Sequence, residues 1–109
     1  MPPPKFPMQG EIWWVNLDPT VGREIQKRRP CLIVSPDEMN RHLGTVIAAP
    51  ITSTHREWPT RLPITLSRKA GSVALDHIRS IDTARLVRRI AHVDPRPALG
   101  VLQAMFAPA

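Results

Sequence analysis

The densest run of groups able to act on a phosphate is REIQKRRP, residues 23–30. Arg23, Lys27, Arg28 and Arg29 supply cations and Glu24 a carboxylate, and Pro30 marks the point where the loop enters the apolar stretch CLIV. A guanidinium offers a planar fork of donors matching phosphate oxygens, and its pKa above about 12 makes it a poor proton acceptor at neutral pH. The loop is therefore read as a rim able to bind phosphates such as those of RNA, with a merely solvated turn as the alternative. A second basic loop, STHREWP at residues 53–59, places Thr54, His55 and Arg56 beside Trp58. Unpaired bases stack on aromatic and Arg surfaces, which favours single-stranded RNA. Trp58 is the stacking candidate, with packing against the fold as its alternative.

Other chemistries are narrowed by counting. Cys31 is the single cysteine, which excludes an intramolecular disulfide and a cysteine-based zinc cluster and leaves an inert buried thiol as the expected state. His42, His55, His77 and His92 show no pair spaced as metal ligands on one helix or strand, so neither metal nor cofactor is expected. Fifteen Lys and Arg against nine Asp and Glu give a formal charge of +6, which points to an anionic partner unless the charge is simply scattered. No run of about 18 apolar residues and no charged-then-apolar leader is present, so a cytoplasmic protein without membrane association is expected.

These groups need elements to position them. A chain of 109 residues supports one domain with a modest core. Its 13 prolines favour short strands broken by turns, so the expected class is mainly β with short helices, α+β. Residues 1–9, MPPPKFPMQ, are expected to form a disordered N-terminal arm and residues 10–109 a single domain without internal repeats. EIWWVNL, residues 11–17, predicts a first strand with Trp13 and Trp14 on opposite faces. Arg29 and Pro30 open a second strand over residues 31–35, followed by a helical turn with Ser35 as N-cap. TVIAAPI, residues 45–51, predicts a buried third strand with Thr52 at its end, and residues 61–66 alternate as a half-exposed fourth. Residues 67–71 are expected to form a basic turn. Short strand pieces over 73–75 and 77–81, a helical turn over 82–86 and a last strand over 87–93 follow. A helix begins at Asp94-Pro95, with Leu99, Leu102 and Phe106 on one face.

Taken together, GEIWWVNLDPTVGREIQKRRPCLIVSPDEMN, AAPITS, VALDHIRSID and a late HVDP before a helix resemble the MazF/PemK family of bacterial toxins from residue 10 to 106. The resemblance implies an SH3-like barrel of the CcdB/MazF type with a C-terminal helix. It also implies a homodimer, and a sequence-selective, metal-independent endoribonuclease of a type II toxin–antitoxin system, inhibited by a cognate antitoxin. Carried over by position, the family's essential arginine falls on Arg29, its essential threonine or serine on Thr52, and a loop acid on Glu24. Arg23 stands where the family more often has a small residue, and His77 where many relatives have glutamine. Two non-catalytic readings stay beside this one: a CcdB-like toxin that inhibits gyrase, and an SH3-like module that binds nucleic acid without cutting it.

Metal-free RNA cleavage needs the 2′-hydroxyl deprotonated, the phosphorane charge stabilised and the leaving 5′-oxygen protonated. Arg29 suits the second task, and a preorganised cation aimed at developing charge is worth several kcal/mol. Thr52 can orient the same phosphate. Glu24 is a candidate proton acceptor, with an ion pair to Arg23 or Lys27 as its alternative. His77 can titrate near neutral pH and has three readings: proton transfer, base contact or a structural hydrogen bond. Arg23, Lys27, Arg28 and Arg79 are expected on the RNA strand, and Thr54, His55, Arg56 and Trp58 on its bases.

Overall fold

The computed structural model describes residues 6–19, 21–25 and 27–109. Seven strands build a strongly bent, barrel-like antiparallel sheet: β1 (Glu11–Asn16), β2 (Arg28–Ile33), β3 (Thr45–Thr52), β4 (Arg61–Leu66), β5 (Lys69–Ala74), β6 (Arg79–Asp82) and β7 (Leu86–His92). Helices α1 (Asp37–His42) and α2 (Arg96–Met105) complete it. The strand order is β4-β5-β3-β2-β1-β7, with β6 also paired to β3. The eight-residue β3 is the centre. Its first half pairs with β6, its last two residues with β5, and its other edge with β2. One edge thus serves two partners in succession, which turns the sheet around itself.

Period-two alternation divides the apolar residues into two cores. Ile12, Leu32, Ala49, Ile51, Val73 and Leu75 face one side, where Ala98 of α2 is buried among them. Val15, Leu17, Cys31, Ile33, Val46, Ala48 and Ile81 face the other, covered in part by Trp13, Ile25 and Leu86. Trp13 and Trp14 are both half-buried on opposite faces, as the alternation of β1 requires. Gly10 allows β1 to start. Its φ is +92°, and a β-carbon there would stand 2.6 Å from the Val93 carbonyl oxygen.

Several elements depart from the local reading. Residues 1–5 of the expected arm lie outside the described residues, but residues 6–9 are held to the fold. Asn40 Nδ2 donates to the Pro7 carbonyl at 3.0 Å, the Gln9 N–H to Asp37 at 2.7 Å and Gln9 Nε2 to Val34 O at 2.8 Å. Ser35 does not cap α1, whose N-cap is Pro36 without a side-chain bond. It is buried, donates to Asn40 Oδ1 and accepts the Ile47 N–H at 2.9 Å, so its hydroxyl ties α1 to β3. The expected basic turn at 67–71 is a two-residue hairpin joining β4 to a full strand β5. Leu66 pairs with Lys69, and Ser67 and Arg68 take φ of 50° and 65°. Leu75 to His77 form a 3-10 turn in place of strand. Phe106 is 70 % exposed, and Leu99, Val101, Leu102 and Met105 present the packed face of α2 instead.

Candidate active site

Arg29 is the second residue of β2, which starts at Arg28, three residues before the start expected at residue 31, and it lies opposite Val15 of β1. On its other side Cys31 faces Pro50 of β3. Antiparallel pairing moves one step forward on β3 for each step back on β2, so the register brings Arg29 level with Thr52. Both residues bound a groove of about 510 Å³ at this end of the sheet. Alternation puts Arg29 on the same face as Cys31 and Ile33. Burial pushes the Cys31 thiol up to about 12, against the opposing fields of Arg79 and Arg29, which places both guanidiniums near it. The thiol is therefore protonated and inert at neutral pH.

Thr52 is nearly buried at the last position of β3. Its Oγ1 accepts the Thr54 N–H at 3.2 Å, which leaves the hydroxyl proton to be donated elsewhere. The backbone beyond it is held by Ser72, whose Oγ donates to Thr54 O at 3.2 Å. Gly71 lets β5 approach: a β-carbon there would meet the Thr52 carbonyl oxygen at 2.5 Å.

A smaller concavity of about 210 Å³ gathers Glu24, Ile25, Pro50, Asp76, His77, Ile78 and Arg79. Pro50 and Thr52 lie two apart on β3 and share a face of it, so this concavity opens on the face of β3 that carries Thr52. The Glu24 carboxylate is exposed and accepts the Val21 N–H at 3.2 Å. His77 Nε2 stands 3.6 Å from Asp76 Oδ2. The chain from 18 to 27 is tied down at its base. Leu17 N–H donates to Lys27 O at 3.0 Å, Lys27 N–H to Asp18 Oδ1 at 2.8 Å, and Arg85 Nη1 to Asp18 O at 3.1 Å. Arg79 Nη1 reaches Leu17 O at 3.5 Å.

The four candidate chemical residues, Arg29, Thr52, Glu24 and His77, are thus brought to one end of the sheet, with Arg79 beside them. Of the proposed strand-binding cations, Arg28 alternates to the opposite face of β2 from Arg29 but lines the same larger groove, with Trp14, Lys69 and Arg88. Arg23 and Lys27 are exposed on the loop. Thr54, His55, Arg56 and Trp58 are also exposed, and Arg56 and Arg61 lie over the Trp58 ring at 5.7 and 4.8 Å from its centre. Local reading missed Arg61 and Asp76, which form a bidentate pair at 2.7 and 3.0 Å. It also missed Lys69 and Arg88. The only sequence signal for the pair is the acid immediately before His77. Among the described residues, no three His, Cys, Asp or Glu side chains stand together as a metal site. Nor is any helix among them long and apolar enough to cross a membrane.

Residues 8–105 match the family model described as "PemK-like, MazF-like toxin of type II toxin-antitoxin system". Endoribonuclease EndoA of Bacillus subtilis is 34 % identical over 92 residues, covering 79 % of each chain. Endoribonuclease PemK of Escherichia coli is 40 % identical over 91 residues, covering 78 % of this chain and 68 % of its own. The crystal structure of MazF from Deinococcus radiodurans superposes with a TM-score of 0.84 at 28 % identity, over 96 % of this chain and 100 % of that one. A mycobacterial endoribonuclease in complex with its cognate antitoxin gives 0.77 at 27 % identity, over 94 % and 98 %. A match that runs through β1, the basic loop, the Arg29 and Thr52 strand ends and α2 shows that this chain belongs to the PemK-like, MazF-like toxin family of type II toxin–antitoxin systems.

Proposed function

We propose that this chain, an endoribonuclease of its family, cleaves single-stranded RNA at selected sequences without a metal. The 2′-hydroxyl attacks the adjacent phosphate, the bond to the 5′-oxygen breaks, and the products carry a cyclic phosphate and a 5′-hydroxyl. The observation that supports this reading best is the level placement of Arg29 and Thr52 on neighbouring strands beside a shared groove. In that arrangement Arg29 stabilises the phosphorane charge, and Thr52 donates its free hydroxyl proton to the same phosphate. Glu24 and His77 line the smaller concavity and are, with Arg29, the candidates to take the 2′-hydroxyl proton. Arg79, Arg23, Lys27 and Arg28 hold the strand, and Thr54, His55, Arg56 and Trp58 meet its bases. Curated relatives that are endoribonucleases favour cutting over the two non-catalytic readings.

The protein acts in the cytoplasm as a homodimer and is silenced by a cognate antitoxin, a reading supported by the mycobacterial endoribonuclease found in complex with its own antitoxin. The larger groove suits an acidic segment with apolar anchors. Ile51, Ile64, Leu66 and Ile90 are apolar there, and Arg28, Lys69 and Arg88 are cationic. The deciding experiment incubates purified protein with a defined single-stranded RNA in EDTA and maps the ends. Arg29→Ala, with its fold verified by circular dichroism, should lose at least about 10²-fold in rate. Wild-type cleavage by that variant removes Arg29 from the site, and activity restored only by magnesium overturns the metal-free mechanism.

A further inference from the structure

Arg61 opens β4 with its side chain only 9 % exposed, unlike the solvated cations of the neighbouring loops. The guanidinium is used twice. Its edge donates through Nε to Asp76 Oδ1 and through Nη2 to Oδ2, while its central carbon lies over the Trp58 ring at 4.8 Å from the centre. Asp76 in turn faces His77, whose side chain is 26 % exposed and borders the concavity that also holds Glu24 and Arg79. A continuous array therefore runs from the exposed loop through Trp58, Arg61 and Asp76 to His77. Backbone bonds clamp both ends of it: Arg61 N–H donates to Trp58 O and Leu75 N–H to Thr60 O, each at 3.0 Å.

We propose that Arg61 is a positioning residue for RNA cleavage, fixing the Asp76 carboxylate so that it orients His77 toward the scissile phosphate and supporting Trp58 as a platform for an RNA base. This rests on His77 belonging to the site described above. It makes base docking on Trp58 and the placement of His77 parts of one mechanical unit. Only an arginine can do both tasks, because a lysine ammonium lacks the planar face and the fork. Asp76 serves as orienter and is a poor proton acceptor, since both its oxygens accept from Arg61 and that hydrogen bonding lowers the basicity of the carboxylate.

The test is a double-mutant cycle on cleavage of a single-stranded RNA whose scissile site has been mapped with the wild-type protein. Asp76→Asn is isosteric, which preserves the fold, and thermal melting verifies this for every variant. Asp76→Asn should lower kcat about tenfold with KM within about twofold, and Arg61→Lys should do the same while also raising KM, as Trp58 loses its support. In a His77→Gln background both kcat losses should vanish. Losses that persist in full in that background, or single variants that cut at the wild-type rate, overturn the inference. If His77→Gln itself is fully active while Arg29→Ala is dead, the site stands and the inference falls. If Arg29→Ala remains active, the assignment of Arg29 fails, and the cycle still decides whether Asp76 works through His77.

Discussion

Gly71→Ala tests how the site is built, because Gly71 has no side chain to act on a substrate and yet sets where Thr52 stands. A β-carbon at this position would lie 2.5 Å from the Thr52 carbonyl oxygen and 3.4 Å from its carbonyl carbon. Both are backbone atoms, so no side chain can swing aside. The pairs Ile51–Val73 and Thr52–Ser72, together with the Ser72 bond to Thr54 O, hold the two strands in register. Reaching even a 3.0 Å contact requires the end of β3 to shift by at least 0.5 Å. Overpacking of this kind costs about 1–3 kcal/mol. A loss of about 2 kcal/mol corresponds to a fall in Tm on the order of 10 °C for a domain of this size. A displaced catalytic group costs up to about 10²-fold in rate, so kcat should fall by roughly ten- to a hundredfold. The assays are thermal denaturation and RNA cleavage, with Gly100→Ala as control. Gly100 lies within α2 with open space around it, and alanine there should raise stability by about 0.5–1 kcal/mol at unchanged activity. A Gly71→Ala protein that melts within about 2 °C of wild type and cuts RNA at the wild-type rate would refute the argument that close backbone approach positions Thr52.

Acid should weaken the fold through Asp76. The hydrogen bond from Arg61 lowers its pKa in the folded protein, so the stabilisation is fully present above the ordinary value of 3.8 and is lost as pH falls through the lower folded value. Asp76→Asn should therefore be less stable than wild type at pH 7 by about 1–2 kcal/mol, and in urea titrations the gap should close as the pH falls through the lowered folded value. A gap independent of pH would mean that the carboxylate's charge is not what the pair contributes. RNA binding should depend steeply on salt. If three or four of Arg23, Lys27, Arg28 and Arg79 meet phosphates, log K against log salt should have a slope of roughly −2 to −3, and a flat response would turn the basic loop away from the strand.

Much of the framework is legible locally because period-two burial is a local property. EIWWVN and RLPITL carry that period, TVIAAPIT is a short unbroken apolar run, and their strands fall where those patterns put them. Asp82 accepts the Ala84 N–H and caps a helical turn, as its side chain suits. The hairpin at Ser67 and Arg68 is not legible, because both residues take positive φ without the Asn-Gly or Gly-containing pair that usually advertises such a turn. The first four residues of β5 are illegible with it, since KAGS carries no β-branched or aromatic residue to give a signal, whereas Val73 and Ala74 fall in the strand piece expected over 73–75. Ser35 followed by Pro36 and an acid looks like a cap, but the buried amide of Asn40 competes for its hydroxyl and takes it. On α2 the spacing of Phe106 fits the apolar face, yet the helix ends at Met105 and the ring projects into solvent.

The same division runs through the site. From its own residues the chain determines that a cluster of cations enters a strand at Arg29-Pro30, that no thiol or metal-ligand pattern competes with them, and that Thr52 closes the third strand. What places Arg29 level with Thr52 is the register of β2 on β3, and what joins Arg61 to Asp76 across 15 positions is the pairing of β4 with β5. Spacing along the chain sets which face of a strand a side chain occupies. Which strand lies alongside, and in what register, follows from the burial of two opposite apolar faces at once, a property of the whole sheet that no single segment contains.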